Sequence, residues 1–376
     1  MNPHPTPPRP ARHPSEWSPT WPPGHNHTPP RVTLVSAPRD EQNFMRLAFG
    51  AHQPPTGRIT VHPTPLVKTG PYLAHDITRA LGKHLPLPDE DRDLPTWASH
   101  TDRSWRIAAA WITTLGISHL TICRAHRLSP SHWEHLLALA TLTNIRLTLL
   151  CNGPVPPKNL SLLDTTEHKV IDTPRQAAAH WRPSTPRQRP DHYPWWQHRA
   201  PFPPQADELQ FRMPPQPSQP LTPAFHPSPL PPGPTPPLPT PGPHHDPLHP
   251  HHTVIADRIH TRIAHPVHAA CTALTVLTGY NSHQIKALHT QSGSGLPPLP
   301  AWARILIDAA CHLADLRGHP DAPNPLSVPS WEHTEIDQAL HACRLLPTPP
   351  HRAYRPPFHP ASRTKTIRQL RGLPTT

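Results

Sequence analysis

Glycine is scarce in this chain, with 14 in 376 residues, where ordinary usage of about 7% would supply nearly twice that number. A glycine-lined phosphate cradle, or a fold rich in left-handed turns, has little to draw on. Tyrosine and phenylalanine are few as well, 4 and 6. Hydrophobic residues make up 35% of the sequence, below the ~45–50% of ordinary globular domains, so much of the chain lies outside any packed core. The five cysteines, Cys123, Cys151, Cys271, Cys311 and Cys343, form no C-x-x-C pair. That argues against a zinc ribbon and a disulfide framework and points to a reducing compartment. No run approaches the ~18 apolar residues of a membrane span, and the opening Met1-Asn2-Pro3-His4-Pro5 lacks an apolar signal core. The expectation is a cytoplasmic protein with no membrane partner.

Negative charge is also in short supply. The chain has 24 Asp and Glu against 35 Lys and Arg, a formal net charge of +11 and a pI near 10.0. Such a balance favours acidic partners, nucleic acid above all, through a sequence-independent attraction to phosphate. What abounds is proline, 64 residues, and histidine, 34, the former more than three times the usual ~5%. Both recur inside segments that read as folded, so an individual histidine carries little functional weight by itself.

The composition divides the chain. Residues 1–30 form a Pro/His-rich arm expected to be disordered. Residues 31–182 alternate strand-like and helix-like segments, which implies a parallel sheet covered on both faces, a three-layer α/β domain. In it, Arg31–Ser36 reads as a lone strand joining the sheet, and Ile107, Ala108, Trp111, Ile112 and Leu115 mark an amphipathic helix stopped by Gly116. A Pro/His-rich linker over 183–252 has polyproline character. Its last residues, His244-His245-Asp246-Pro247-Leu248-His249-Pro250-His251-His252, bring imidazoles together without the fixed geometry of a metal centre, and no metal site is expected. Residues 253–345 read as a small all-α domain with helices at 253–264, 266–278, 282–290, 299–317 and 332–345. Residues 346–376 are a basic tail.

Two stretches carry chemistry. After the strand-like Arg58-Ile59-Thr60-Val61 comes His62-Pro63-Thr64-Pro65-Leu66-Val67-Lys68-Thr69, then a helix from Tyr72 to Leu81. This has the outline of the phosphate loop G-x-x-x-x-G-K-[ST], with Lys68 and Thr69 in place but His62 and Val67 where the glycines belong. Pro63 and Pro65 have no N–H to offer. Further on, a strand-like Ser118–Cys123 leads into Arg124-Ala125-His126-Arg127-Leu128-Ser129-Pro130, a helix from Ser131 to Leu142, and a second strand, Ile145–Cys151, followed by Asn152. Ser129 suits the cap of that helix and Pro130 its first position.

Together these segments, about 58–152, resemble the AAA+ ATPases, especially the small transposition-accessory ATP-binding proteins, whose Walker B strand ends in Asp-Glu-Ala-His-Arg-Leu-Ser. The resemblance implies a P-loop-like domain, Lys68 and Thr69 as vestigial nucleotide contacts and Asn152 at the polar sensor position. The departures are in the chemistry. Cys123 stands where the family has the carboxylate that holds Mg²⁺, and a thiol is a poor ligand for a hard cation. Arg124 replaces the water-orienting carboxylate and cannot act as a base. Phosphoryl transfer needs those groups, so no catalytic residue and no cofactor is assigned, ATP and Mg²⁺ being disfavoured. Ordinary strand–helix units unrelated to nucleotides would carry the same local pattern.

Pro266–Leu277, Gly279-Tyr280-Asn281 and Ser282–Leu288 follow the length pattern of a helix-turn-helix, with Gln284 and Lys286 as candidate groove contacts. Any pair of packed helices has this outline too. The segment also faintly resembles the first catalytic-helix region of tyrosine recombinases. Asn281 stands at the catalytic arginine position, and no later His-x-x-Arg or nucleophilic tyrosine follows, so no recombinase activity is expected. Arg363, Lys365, Arg368 and Arg371 in the tail suit contact with phosphate backbones. The leading expectation is a catalytically degenerate adaptor that binds DNA or a DNA-bound protein partner. A weak ATP-binding switch is one alternative. The other is a DNA-binding protein whose α/β domain has nothing to do with nucleotides.

Overall fold

The computed structural model describes residues 31–38, 42–64, 70–85, 96–164, 166–182, 250–280 and 299–317, with the single positions 284, 285, 288, 326, 339, 340, 343 and 345. The α/β part runs β1 (Arg31–Ser36), α1 (Gln42–Gly50), β2 (Arg58–Val61), α2 (Gly70–Ala80), α3 (Thr96–Ser99), α4 (Thr101–Thr114) and β3 (His119–Ile122). It continues with α5 (Pro130–Thr143), β4 (Arg146–Cys151), α6 (Pro157–Leu160), β5 (His168–Ile171) and α7 (Pro174–Trp181). The later helices are α8 (Pro250–Arg262), α9 (Pro266–Thr278) and α10 (Ala301–Leu316).

All five strands are parallel, in the order β2-β3-β4-β1-β5. The expected parallel α/β sandwich is what forms. Arg31–Ser36 joins the sheet as expected, and its place, which the sequence does not give, is inside it, bonded to β4 on one side and β5 on the other. Its run Val32-Thr33-Leu34-Val35 suits such a place, because a strand buried on both faces needs apolar residues on both.

The pleat sorts side chains between two layers. On one face Val35, Ala37, Leu150 and Ile171 pack with Phe44 and Ala48 of α1 and with Ala177 and Trp181 of α7. On the other, Leu34, Ile59, Val61, Leu120, Ile122, Leu147 and Leu149 belong to a larger core with α2, α4 and α5. That core continues without a break into α8, α9 and α10. α10 packs on both α4 and α9. The Trp111 indole N–H of α4 donates to the Ala264 carbonyl at 2.7 Å, the His84 N–H donates to the Thr261 carbonyl at 2.6 Å, and Thr114 Oγ1 meets His312 Nδ1 at 2.9 Å.

Proline, so abundant, is tolerated in the folded layers because it stands where helices begin. α5, α6, α7, α8 and α9 all start with it, at a position whose N–H would have no helical partner anyway. Ser129, Thr173 and His265 precede three of these prolines, and their side chains accept from the N–H three residues on. Gly57, in the turn into β2, has φ +78, and a Cβ there would lie 2.8 Å from the Gly116 carbonyl oxygen, so this turn requires glycine.

Candidate functional site at the carboxyl ends of the strands

In an open parallel sheet, ligands bind beyond the carboxyl ends of the strands where the connections diverge. Here β1 connects to β2 through α1, which packs on the α7 face. β4 connects to β5 past α6 and Leu163, on the opposite face. The divergence falls between β1 and β4. β2, the strand that precedes the Lys68-Thr69 motif in the sequence, is at the sheet's edge, two strands from that point. Lys68 and Thr69 themselves lie outside the described residues.

At the divergence the Ala37 N–H donates to the Cys151 carbonyl at 2.8 Å, which sets Asn152 beside the chain leaving β1. Asn152 is only 7% exposed, and both atoms of its side-chain amide lack a hydrogen-bond partner among the described residues. A buried amide in that condition costs on the order of 1–3 kcal/mol, so it marks a place where a polar group of another molecule would be welcome. Its own backbone N–H donates to His126 Nδ1 at 3.2 Å. The His126 ring lies against Gly153, where a Cβ would come within 3.0 Å of His126 Cδ2.

Next to β4, strand β3 ends at Cys123, whose N–H donates to the Val61 carbonyl at 2.8 Å. Burial pushes the Cys123 thiol up to about 12, and the Cys151 thiol likewise to about 12. Both are neutral thiols at physiological pH, suited neither to nucleophilic attack nor to holding a cation. Arg124 follows with φ 51, a left-handed conformation that is uncommon for a long side chain. It begins a 3-10 turn, Ala125–Arg127, which the Trp133 indole N–H fastens by donating to the Ala125 carbonyl at 2.9 Å.

Thr64, just beyond β2, is pinned by a carboxylate of the chain itself. Asp76 of α2 accepts from the Thr64 backbone N–H at 2.7 Å and from its hydroxyl at 2.8 Å, and it pairs with Arg79 at 3.0 Å. These are the donors a phosphate would seek, and here they serve Asp76. His62, directly after β2, stacks on Phe49 with ring centroids 6.2 Å apart. Burial, and then the nearby Arg124, hold its pKa below the ordinary histidine value.

Of the sequence candidates, the structure therefore brings Cys123, Arg124 and Asn152 to one edge. Gln284 is exposed and Ile285 after it is buried. Lys286 and the tail residues Arg363, Lys365, Arg368 and Arg371 lie outside the described residues. α9, the first helix of the helix-turn-helix outline, is buried along nearly its whole length. Sequence reasoning missed Asp76, Thr64 and His126. Each matters through a partner distant in sequence, and no local pattern announces it.

Among the described residues no group of three or more His, Cys, Asp or Glu is placed to hold a metal ion, and no helix is long and apolar enough to cross a membrane. No family model, no curated protein and no solved structure matches this chain.

Proposed function

We propose that this chain is a non-catalytic adaptor: an α/β domain of P-loop-like, AAA+ type that has lost its phosphoryl-transfer chemistry and serves as a docking scaffold for DNA or a DNA-bound partner. The observation that carries the reading is the end of β3, where a neutral buried thiol, Cys123, and a left-handed arginine, Arg124, occupy the edge at which the resembling ATPases keep two carboxylates. Two further features support it. Strands β3 and β4 are neighbours, so Cys123 and Asn152 share an edge as a Walker B end and a sensor residue would. The chain leaving β1 at the divergence point reads Ser36-Ala37-Pro38-Arg39-Asp40-Glu41-Gln42-Asn43, with neither the glycines nor the lysine of a phosphate loop. The DNA side of the reading rests on the net charge of +11.

Calorimetry and a phosphate-release assay with Mg²⁺-ATP on the full chain test the loss of chemistry. No turnover and no saturable heat are expected. Turnover that disappears in Thr69→Ala would overturn the reading. The unpartnered amide of Asn152 favours one second reading, a weak nucleotide-binding switch. Micromolar binding without turnover, abolished by Asn152→Leu, would select it.

A further inference from the structure

The opposite, amino-terminal edge of the sheet carries a pattern that the adaptor reading has not used. Four neighbouring strands begin with the same triplet of basic residue, apolar residue and threonine. These are Arg58-Ile59-Thr60 in β2, His119-Leu120-Thr121 in β3, Arg146-Leu147-Thr148 in β4 and Arg31-Val32-Thr33 in β1. The register stacks the triplets without a slip: Arg58 pairs with His119, His119 with Arg146 and Arg146 with Arg31. Strands lie about 4.8 Å apart, so this row is roughly 14 Å long.

Alternation along a strand places every first residue on the face of its threonine. That face is the α7 side, because Thr121 Oγ1 accepts from the Trp181 indole and Thr148 Oγ1 meets His180 Nε2 at 2.9 Å. Lys169 of β5 pairs with Thr33 and extends the same face. Arg31, Arg146 and Lys169 are exposed, while Arg58 and His119 are half-buried. Arg58 donates to the carbonyls of Trp181 and Arg182 at 3.3 and 3.2 Å, anchoring the end of α7. His119 sits among these cations, with Arg146 Nη1 at 3.5 Å from its Nε2. Burial, then Arg58 and Arg146, drive its pKa down to about 4, so at physiological pH it is a neutral polar group inside a cationic row.

Like charges set side by side across strands oppose folding. Asp164 and Glu167 precede β5, and among the described residues no ion pair joins either to Arg31 or Arg146. Each strand of duplex DNA presents one negative charge per ~3.4 Å of axis, so a 14 Å row laid along one strand faces about four. Guanidinium forks match phosphate oxygens in shape as well as sign. The regular spacing carries no arrangement for reading bases, which suits contact with the backbone alone.

We propose that the amino-terminal ends of β2, β3, β4 and β1 form a sequence-independent contact for the phosphodiester backbone of duplex DNA, made chiefly by Arg31 and Arg146. This names the DNA-contacting surface of the adaptor and rests on that reading.

The test is fluorescence anisotropy of the full chain with a short labelled duplex of arbitrary sequence, over ~50 to ~200 mM salt. The double variant Arg31→Ala/Arg146→Ala leaves the anchoring Arg58 intact. The slope of log K against log salt should become shallower by about 1.8, or 0.9 per phosphate contact removed. Arg31→Lys/Arg146→Lys should restore it. The thermal midpoint of each variant checks that the fold is kept. A wild-type chain that binds duplex, with an unchanged slope in the double alanine variant, overturns this surface and leaves the adaptor reading standing with its contact elsewhere. A wild-type chain that binds no duplex at all overturns this surface and the direct DNA contact of the adaptor, leaving only docking on a DNA-bound partner. Binding to an RNA duplex but not to DNA overturns the choice of occupant.

Discussion

Acid should destabilise this fold through His52. The residue sits between α1 and β2 and is 7% exposed. Its Nδ1 accepts the Thr60 backbone N–H at 3.0 Å, and the Thr60 hydroxyl is in turn fixed to the Ala48 carbonyl at 2.7 Å. A nitrogen that accepts a hydrogen bond has no room for its own proton, so charging the ring would break this bond inside a buried site. Burial lowers the His52 pKa from 6.5 to about 4. Between those values the unfolded chain takes up a proton and the folded chain does not, so stability falls as pH falls through the window. The contribution is fully present above pH ~6.5, is reduced by about 2 kcal/mol at pH 5, and by about 3 kcal/mol at pH 4. His52→Asn keeps an acceptor for Thr60 but does not titrate. Urea denaturation of both proteins at several pH values from 7 to 4 supplies the comparison, and other histidines, common to both, cancel in the difference. The variant should be the weaker at pH 7 because it packs less well, and the gap should close by about 2 kcal/mol at pH 5. A gap that stays constant across the window would refute the reasoning.

Two other substitutions probe the joints of the fold. Trp111→Phe leaves the buried Ala264 carbonyl without its donor and weakens the aromatic face over which Lys83 Nζ sits, 3.6 Å from the ring centroid. A loss of about 2–4 kcal/mol is expected in chemical denaturation, and a loss under ~1 kcal/mol would show that α4 and α8–α10 are held together by other contacts. Arg124→Gly removes a side chain from a backbone at φ 51 and should stabilise the protein by up to ~1 kcal/mol in the same assay. A destabilised variant would mean that contacts of the arginine side chain outweigh the strain.

The parts legible in the sequence are those whose signals are local. The Ser129-Pro130 start of α5, the apolar runs of β3 and β4 and the Gly279 stop of α9 each sit within a few residues of what they specify. The place of β1 was not legible. Its composition fits a strand, but only the strand order shows that it divides β4 from β5. The same order decides which strand ends border the crevice, and the strand that precedes the Lys68-Thr69 string, β2, is an edge strand. Asp76 lies twelve residues beyond the Thr64 it holds, and nothing in the intervening sequence signals the bond. The basic triplets were in plain view in the sequence. Their meaning depends on register, and a slip of one residue in any strand would send its basic side chain to the other face.

The direction of the helices explains how the sheet tolerates such a row. Connecting helices run opposite to the strands they follow, so their carboxyl ends, with partial negative charge, collect at the amino-terminal edge of the sheet. Arg58 shows this compensation directly, since it spends its hydrogen bonds on the last carbonyls of α7. Arg146 and Arg31 lie further along the row, on β4 and β1, and among the described residues no hydrogen bond ties either to a helix end. What remains for an external anion is therefore concentrated at those two positions, not spread evenly over the row. At the other edge the helix amino ends contribute positive field to a crevice where the described side chains include two neutral thiols, the Asn152 amide, His126 and Arg124. At the end of β3, Cys123 and Arg124 stand where a metal-dependent reaction on phosphate would require carboxylates. In the proposed scaffold an anion would rest unchanged on the amino-terminal edge, held at Arg31 and Arg146.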